Sequence, residues 1–114
     1  MEICEEMKKL RDALTERGIA WEDKSSLVSE TYISEVMEMG IPRKYADVSI
    51  FRTHFEINGN KWSVINGYGT YGGYDAFTGK NYGMLECMAS CVNNGEPVGN
   101  LTAAAVMQMV EQEM

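Results

Sequence analysis

Residues 49–66 read SIFRTHFEINGNKWSVIN, and this stretch decides the fold. The dipeptide Asn58-Gly59 is strongly favoured in two-residue type I′ turns, because both central residues of such a turn need a positive φ. Counting outward from the turn places aromatic and β-branched residues on one face and mostly polar residues on the other. The sequence therefore predicts a β-hairpin with strands at 49–57 and 60–66, one face buried and the other solvated.

The register of this hairpin follows by counting from the turn. It pairs Phe55 with Trp62 on the apolar face, and it places Ser63 opposite His54 on the polar face, which also carries Arg52. A serine beside the chain's one histidine is a pairing used in nucleophilic catalysis. Because the sequence has no nucleophile-elbow motif and no evident third member of a triad, a small hydrolase using His54 is the weakest functional alternative.

Apolar residues at helical spacing predict helices on either side of the hairpin. The predicted segments are a helix over 2–17 that ends near Gly18, a strand over 19–21, a helix over 30–39 capped by Ser29 or Thr31, a helix over 84–92 with a strand over 84–88 as its alternative, and a final helix capped by Thr102. The buried face of the helix over 30–39 is expected to consist of Tyr32, Ile33, Val36 and Met37. The expected fold is α+β: a small antiparallel sheet, built on the central hairpin 49–57/60–66, with about four helices packed on one face.

The chain has 114 residues and a formal net charge of −7. The length limits the number of domains, and the charge limits the kinds of partner. This length suits a single domain, 1–114, whose core needs no metal or disulfide. The negative charge argues against direct nucleic-acid binding and against an anionic membrane surface. With no apolar run long enough to cross a membrane and no signal-peptide pattern at Met1, we expect a cytoplasmic protein.

The sequence contains three cysteines and nine methionines, which are candidates for metal binding and for interfaces. Cys87 and Cys91 would share a face if residues 84–92 are helical, and with His54 or Cys4 they could ligate a metal. Their apolar neighbours favour buried free thiols instead, so we expect no metal site and no cofactor. The methionines suit an adaptable interface, and a homo-oligomer remains open.

Residues 67–83 are rich in glycine and tyrosine, and the segment begins with the pattern G-x-G-x-x-G. The helix and second parallel strand that a dinucleotide site needs are missing from the expected fold. Glycine allows close backbone approach and tyrosine offers a flat face with a hydroxyl, so the segment suits contact with a protein or with a planar nucleotide-like ligand. A long strand continuing the hairpin is the structural alternative. No catalytic residue is assigned, and the candidate binding residues are Tyr68, Tyr71, Tyr74, Gly69, Gly72, Gly73, Lys80, Arg52 and His54.

Two stretches resemble parts of a known group of proteins. WSVINGYGTYGG at 62–73 and GEPVGNLT at 95–102 are similar to stretches in small uncharacterised proteins of gut Firmicutes and of their phages and prophages. The resemblance spans 62–107 and brings no catalytic residues with it. It implies a protein of a mobile element, and small phage proteins of this size often act by binding.

These observations lead to one expected function and two alternatives. The expected function is that of a non-enzymatic binding protein, encoded by a phage or other mobile element, that inhibits or modulates a host protein of defence type through protein–protein contact. The first alternative is a protein that binds or sequesters a nucleotide signal with the loop 67–83. The second is the hydrolase described above, and the absence of a catalytic motif makes enzymatic activity the weaker expectation.

Overall fold

A computed structural model describes residues 1–75 and 77–114, which form a helix near each end of the chain, two helices between the first and second strands, and strands elsewhere. The helices are α1 (Glu5–Glu16), α2 (Glu30–Glu38), α3 (Arg43–Ala46) and α4 (Ala103–Gln112). The strands are β1 (Trp21–Asp23), β2 (Ile50–Ile57), β3 (Asn60–Gly67), β4 (Tyr74–Asp75), β5 (Lys80–Asn81), β6 (Leu85–Ala89) and β7 (Val98–Leu101).

Five of these strands form one antiparallel sheet in the order β1-β2-β3-β6-β7. Strands β4 and β5 form a separate two-stranded ribbon. An antiparallel sheet with helices segregated from it is the α+β class, so the predicted class is confirmed.

The central hairpin has the predicted register. Phe55 lies opposite Trp62, and His54 lies opposite Ser63. The rings of Phe55 and Trp62 stack with centroids 5.5 Å apart. Asn58 has the positive φ that a type I′ turn requires, which explains how local turn chemistry sets the pairing of the whole hairpin.

Helices α1 and α4 supply the main core together with the inward face of the sheet. Met7, Leu10 and Leu14 of α1 join Val106 and Val110 of α4 in one apolar cluster with the buried strand residues. Their spacing of three and four residues places them on one face of each helix. The opposite face of the sheet carries the outward residues of each strand.

The predicted helix boundaries agree with the caps. The Thr102 hydroxyl accepts a hydrogen bond from the Ala105 N–H at 3.1 Å, as a helix N-cap should. Of the two candidate caps for α2, the structure uses Ser29, whose hydroxyl accepts from the Tyr32 N–H at 3.2 Å. Gly18 follows α1 with a φ of +71°, a conformation that favours glycine.

The helix predicted over 84–92 is wrong, and the alternative strand is correct. Residues Leu85, Cys87 and Ala89 are buried, while the residues between them face outward, so the period is two. The apolar residues of this segment fit both periods, and pairing with β3 and β7 decides between them. Cys87 and Cys91 therefore do not share a helix face.

Replacing a buried leucine and an exposed one should separate core packing from surface effects. Leu10 is 0% exposed and Leu27 is 61% exposed. We expect Leu10→Ala to lower the free energy of unfolding by about 2–5 kcal/mol, and Leu27→Ala to change it by about 0.5 kcal/mol or less. Urea denaturation followed by circular dichroism measures both, and equal losses would contradict the assignment of the core.

Candidate functional site

The Gly/Tyr segment is a compact loop and not a long strand continuing the hairpin. Strand β3 ends at Gly67, and the chain then turns back through the short ribbon of β4 and β5 before it enters β6. Buried Asn66 holds the loop on the sheet: its side-chain amide donates to the Met84 carbonyl at 2.8 Å and exchanges hydrogen bonds with the Asn81 side chain at 3.2 and 3.1 Å. The loop is therefore anchored to the sheet through Asn66.

Three glycines of the loop, Gly67, Gly72 and Gly73, are required by close packing. A Cβ at Gly67 would lie 2.4 Å from the Ser49 carbonyl oxygen, and one at Gly73 would lie 2.0 Å from the Thr70 hydroxyl. At Gly72 a Cβ would lie 2.8 Å from the Cβ of Met84. Each distance is far below a van der Waals contact, so the glycine pattern has a structural cause.

Backbone N–H groups that would cradle a phosphate already donate within the loop. The N–H of Gly67 donates to the Thr70 hydroxyl at 3.1 Å, that of Gly69 to the Tyr74 carbonyl at 3.4 Å, and that of Gly73 to the Thr70 carbonyl at 3.1 Å. A phosphate at these groups would have to displace bonds that hold the loop together.

The predicted tyrosines have different environments. The half-buried rings of Tyr68 and Tyr74 lie side by side with centroids 5.7 Å apart. Tyr71 is 66% exposed, and its N–H donates to a carboxylate oxygen of Glu86 at 2.9 Å. The Tyr71 N–H therefore already has a negatively charged acceptor, the Glu86 carboxylate. Lys80 is exposed, and its ammonium lies 5.0 Å from the ring centroid of Tyr82.

The loop contacts α3 through a lysine. The Lys44 ammonium donates to the Phe77 carbonyl at 3.0 Å, and the Lys44 alkyl chain packs beside Gly79. A shallow cleft of about 400 Å³ lies here, lined in part by Lys44, Arg43 and Tyr74. Burial and then the nearby Asp47 raise the pKa of Tyr74, so its hydroxyl stays protonated at neutral pH.

Residues 27–48, which we call the arm, carry α2 and α3 and expose an unusual amount of apolar surface. Ile33 and Ala46 are its buried apolar residues, and neither belongs to the main core cluster. The arm surface is the set of large side chains that the arm exposes: Leu27, Tyr32, Met37, Met39, Ile41, Tyr45 and Val48. Exposed apolar patches mark interaction sites in soluble proteins.

The structure of the arm differs from the predicted buried face of the helix over 30–39. Tyr32 and Met37 are largely exposed, Val36 is half-buried, and only Ile33 of the predicted set is fully buried. A helical pattern shows which side chains share a face, but it does not show whether another element covers that face. Four apolar residues in a nine-residue helix are an ordinary number for one buried face, so the sequence of α2 held no signal that this face is exposed.

Arg52 and His54 lie on the sheet face away from α1 and α4. The register places Glu22 of β1 on one side of His54 and Ser63 of β3 on the other, with Met88 of β6 beyond Ser63. Sequence reasoning found Ser63 but missed Glu22 and Met88, because both are neighbours only through pairing between distant segments.

The order of acid, histidine and serine in this row does not form a catalytic triad. No hydrogen bond joins the His54 ring to another described side chain, and the Glu22 carboxylate pairs with the Lys24 ammonium at 3.1 Å. Burial, followed by the positive charges of Arg52 and Lys24, lowers the pKa of His54, while Glu22 acts in the opposite direction. The ring is therefore neutral at pH 7.

Cys87 and Cys4 have the properties of structural thiols. Burial raises the pKa of Cys87 to about 12, and burial also raises the pKa of Cys4. A protonated thiol is a poor nucleophile and a poor metal ligand. Among residues 1–75 and 77–114, no group of three or more histidine, cysteine or acidic side chains is arranged to hold a metal ion.

Within the described residues, every helix is too short or too polar to cross a bilayer. Comparisons of the chain with protein-family models, with curated proteins and with solved structures gave no match.

Removing the buried amide of Asn66 should loosen the loop. Asn66→Ala leaves the Asn81 side chain and the Met84 carbonyl without their partner, so we expect a loss of about 1–3 kcal/mol in the free energy of unfolding. Hydrogen exchange at residues 67–83 should accelerate as well. Asn60→Ala, which removes only an exposed bond from the Ser90 hydroxyl, is the control. Unchanged exchange in the Asn66 variant would contradict the anchoring role.

Proposed function

We propose that this protein is a non-enzymatic binding protein that attaches to a host protein through the arm surface and thereby inhibits or modulates it. The observation that carries the proposal is the concentration of seven large exposed apolar side chains in one segment that adds little to the core. Burying one such side chain at an interface contributes roughly 1.5–3 kcal/mol, so a few of them are enough to anchor a complex.

The loop adds an aromatic residue next to this surface. Phe77 is 90% exposed and is held beside α3 by the bond from Lys44 to its carbonyl oxygen. Aromatic residues are enriched in protein interfaces because they bury a large rigid area at a low entropic cost.

The charge of the arm favours a basic partner over a second copy of this chain. Glu30 of α2 is paired with Arg43 at 2.8 Å, whereas Glu35 and Glu38 are exposed. A symmetric contact through α2 would bring these carboxylates of two copies together in a chain that already carries a net charge of −7. A partner with basic residues around an apolar groove matches the arm better.

The resemblance of residues 62–73 and 95–102 to proteins of gut Firmicutes and their phages supports a mobile-element origin. A host protein of defence type, met in the cytoplasm, is the partner that this origin favours. Cys4, Cys87 and Cys91 are all free thiols, which suits a reducing compartment. We therefore include in the proposal a mobile-element origin, a location in the cytoplasm and a host partner of defence type.

The shallow cleft beside Tyr74 favours one second candidate, the binding of a nucleotide-like signal. Tyr74 offers a ring, and Arg43 and Lys44 offer positive charge. Both cations already have partners, and the N–H groups of Gly67, Gly69 and Gly73 already donate within the loop. This function therefore ranks below protein contact.

Replacing two exposed methionines of the arm should reduce partner capture without unfolding the protein. We expect the Met37→Ser/Met39→Ser variant to retain about tenfold less of a specific partner from lysate of an anaerobic Firmicute than the unaltered protein does. The readout is affinity capture with quantitative mass spectrometry, followed by calorimetry with the purified partner.

The matched control replaces two exposed methionines outside the arm, Met88 and Met114, with serine. This control should capture the partner as the unaltered protein does, and both variants should keep the melting temperature. Equal capture by the arm variant and the unaltered protein would rule out the arm surface. A dimer seen by sedimentation and dissociated by the arm substitutions would show self-association instead.

A further inference from the structure

The outward face of the five-stranded sheet lies away from α1 and α4 and takes no part in the proposed function. The register arranges its side chains in rows that cross the strands, because directly paired residues of neighbouring strands project to the same side. Two rows occupy the middle of this face, and their six side chains, all exposed or half-buried, are called the open face: Arg52, Ile65 and Glu86 in one row, and His54, Ser63 and Met88 in the next.

The charges of the outward face of the sheet balance each other, although the chain as a whole carries −7. Its cations are Lys24, Arg52 and Lys61, and its carboxylates are Glu22, Glu56 and Glu86. Within residues 1–75 and 77–114, the Glu22–Lys24 pair is the one ion pair that these six groups form within 4.0 Å. Two cations and two carboxylates are therefore left without an ionic partner, on a face where a second copy would meet no net repulsion.

The order of the charges across the sheet is self-complementary. Two identical sheets that pack face to face are related by a two-fold axis lying between them. When this axis runs along β3, strand β2 of one copy lies over β6 of the other, and each row faces its own reversed order. Arg52 of each copy then faces Glu86 of the other, with the two Ile65 side chains meeting at the axis, since these three residues share one row. In the next row, His54 faces Met88 in the same way.

We infer that the open face binds a second copy of this chain in a symmetric dimer, in which two Arg52–Glu86 ion pairs flank a central Ile65–Ile65 contact. One Glu86 oxygen accepts the Tyr71 N–H at 2.9 Å, which leaves the other oxygen for the guanidinium. Lys61 lies on the axis strand opposite Glu56, so carboxylates of both copies flank it. The inference goes beyond the proposed function, because no arm residue takes part.

The size of the face predicts a weak dimer. Strands β2 and β3 have eight residues each, and the other three strands of the sheet are shorter. Five strands about 4.8 Å apart make the face roughly 20 Å wide. A contact of this extent belongs at the low end of specific interfaces, below about 1,200 Å² in total, where association is weak and reversible.

Sedimentation equilibrium of the unaltered chain at low salt tests for the dimer. We expect the average mass to rise from near that of the monomer at about 10 µM towards twice that value at about 1 mM. Amide chemical shifts recorded over the same dilution locate the contact without any substitution. They should change in β2, β3 and β6 and stay constant in the arm.

Charge reversal tests the arrangement itself. Arg52→Glu places carboxylates of the two copies against each other, and Glu86→Arg does the same with guanidinium groups, so each variant alone should associate at least about tenfold more weakly. An equimolar mixture of the two variants restores both ion pairs between unlike copies. The mixture should therefore regain dimers of one copy of each variant, a result that a change of fold within either chain would not produce.

Two variants serve as controls. Lys8→Glu changes the net charge as Arg52→Glu does, but at an exposed position of α1, and should leave association unchanged. Met37→Ser/Met39→Ser should also dimerise normally, so the open face and the arm surface can fail separately. A chain that stays monomeric at about 1 mM, dilution shifts confined to the arm, undiminished association of Arg52→Glu, or a mixture no more associated than its components would overturn the inference.

Discussion

Buried and outward residues alternate along the β2–β3 hairpin, and this alternation determines which face of the sheet the helices can cover. The turn at Asn58-Gly59 fixes the pairing, and a slip of one residue would turn every inward side chain to the solvent. With the register set, the stacked rings of Phe55 and Trp62 lie on the face that α1 and α4 cover. The same register assigns His54 and Ser63 to the other face, so the buried core face and the polar face of the sheet both follow from one turn.

The Gly/Tyr loop shows how one sequence pattern can serve packing and not ligand binding. Its glycines allow the backbone to approach Ser49 and Met84 more closely than any other residue would, and the resulting hydrogen bonds use the N–H groups that a phosphate would need. The compact loop is held in a fixed position beside α3. Lys44 binds the Phe77 carbonyl, which holds an almost fully exposed ring next to the arm.

Local chemistry made the hairpin register, the caps at Ser29 and Thr102 and the end of α1 predictable from the sequence. Segment 84–92 was not predictable in this way, since its apolar residues fit both periods and only pairing with β3 and β7 selects the strand. The same limit applies to the candidate sites. Glu22 reaches the neighbourhood of His54 through the pairing of β1 with β2, and Met88 reaches it through the pairing of β6 with β3. The exposure of the arm depends on which elements cover α2, and no pattern within α2 contains that information.

The separation of the arm from the main core has an energetic consequence for binding. The arm buries few apolar side chains of its own, chiefly Ile33 and Ala46, so its local stability must be low compared with that of α1, α4 and the sheet. A partner that covers the arm surface would add apolar burial where the isolated protein has least of it, and the free energy of binding would also order the arm. The core, held by the hairpin register, would not need to change. A protein partner would therefore meet a segment that its own contacts stabilise, next to a core that is already formed.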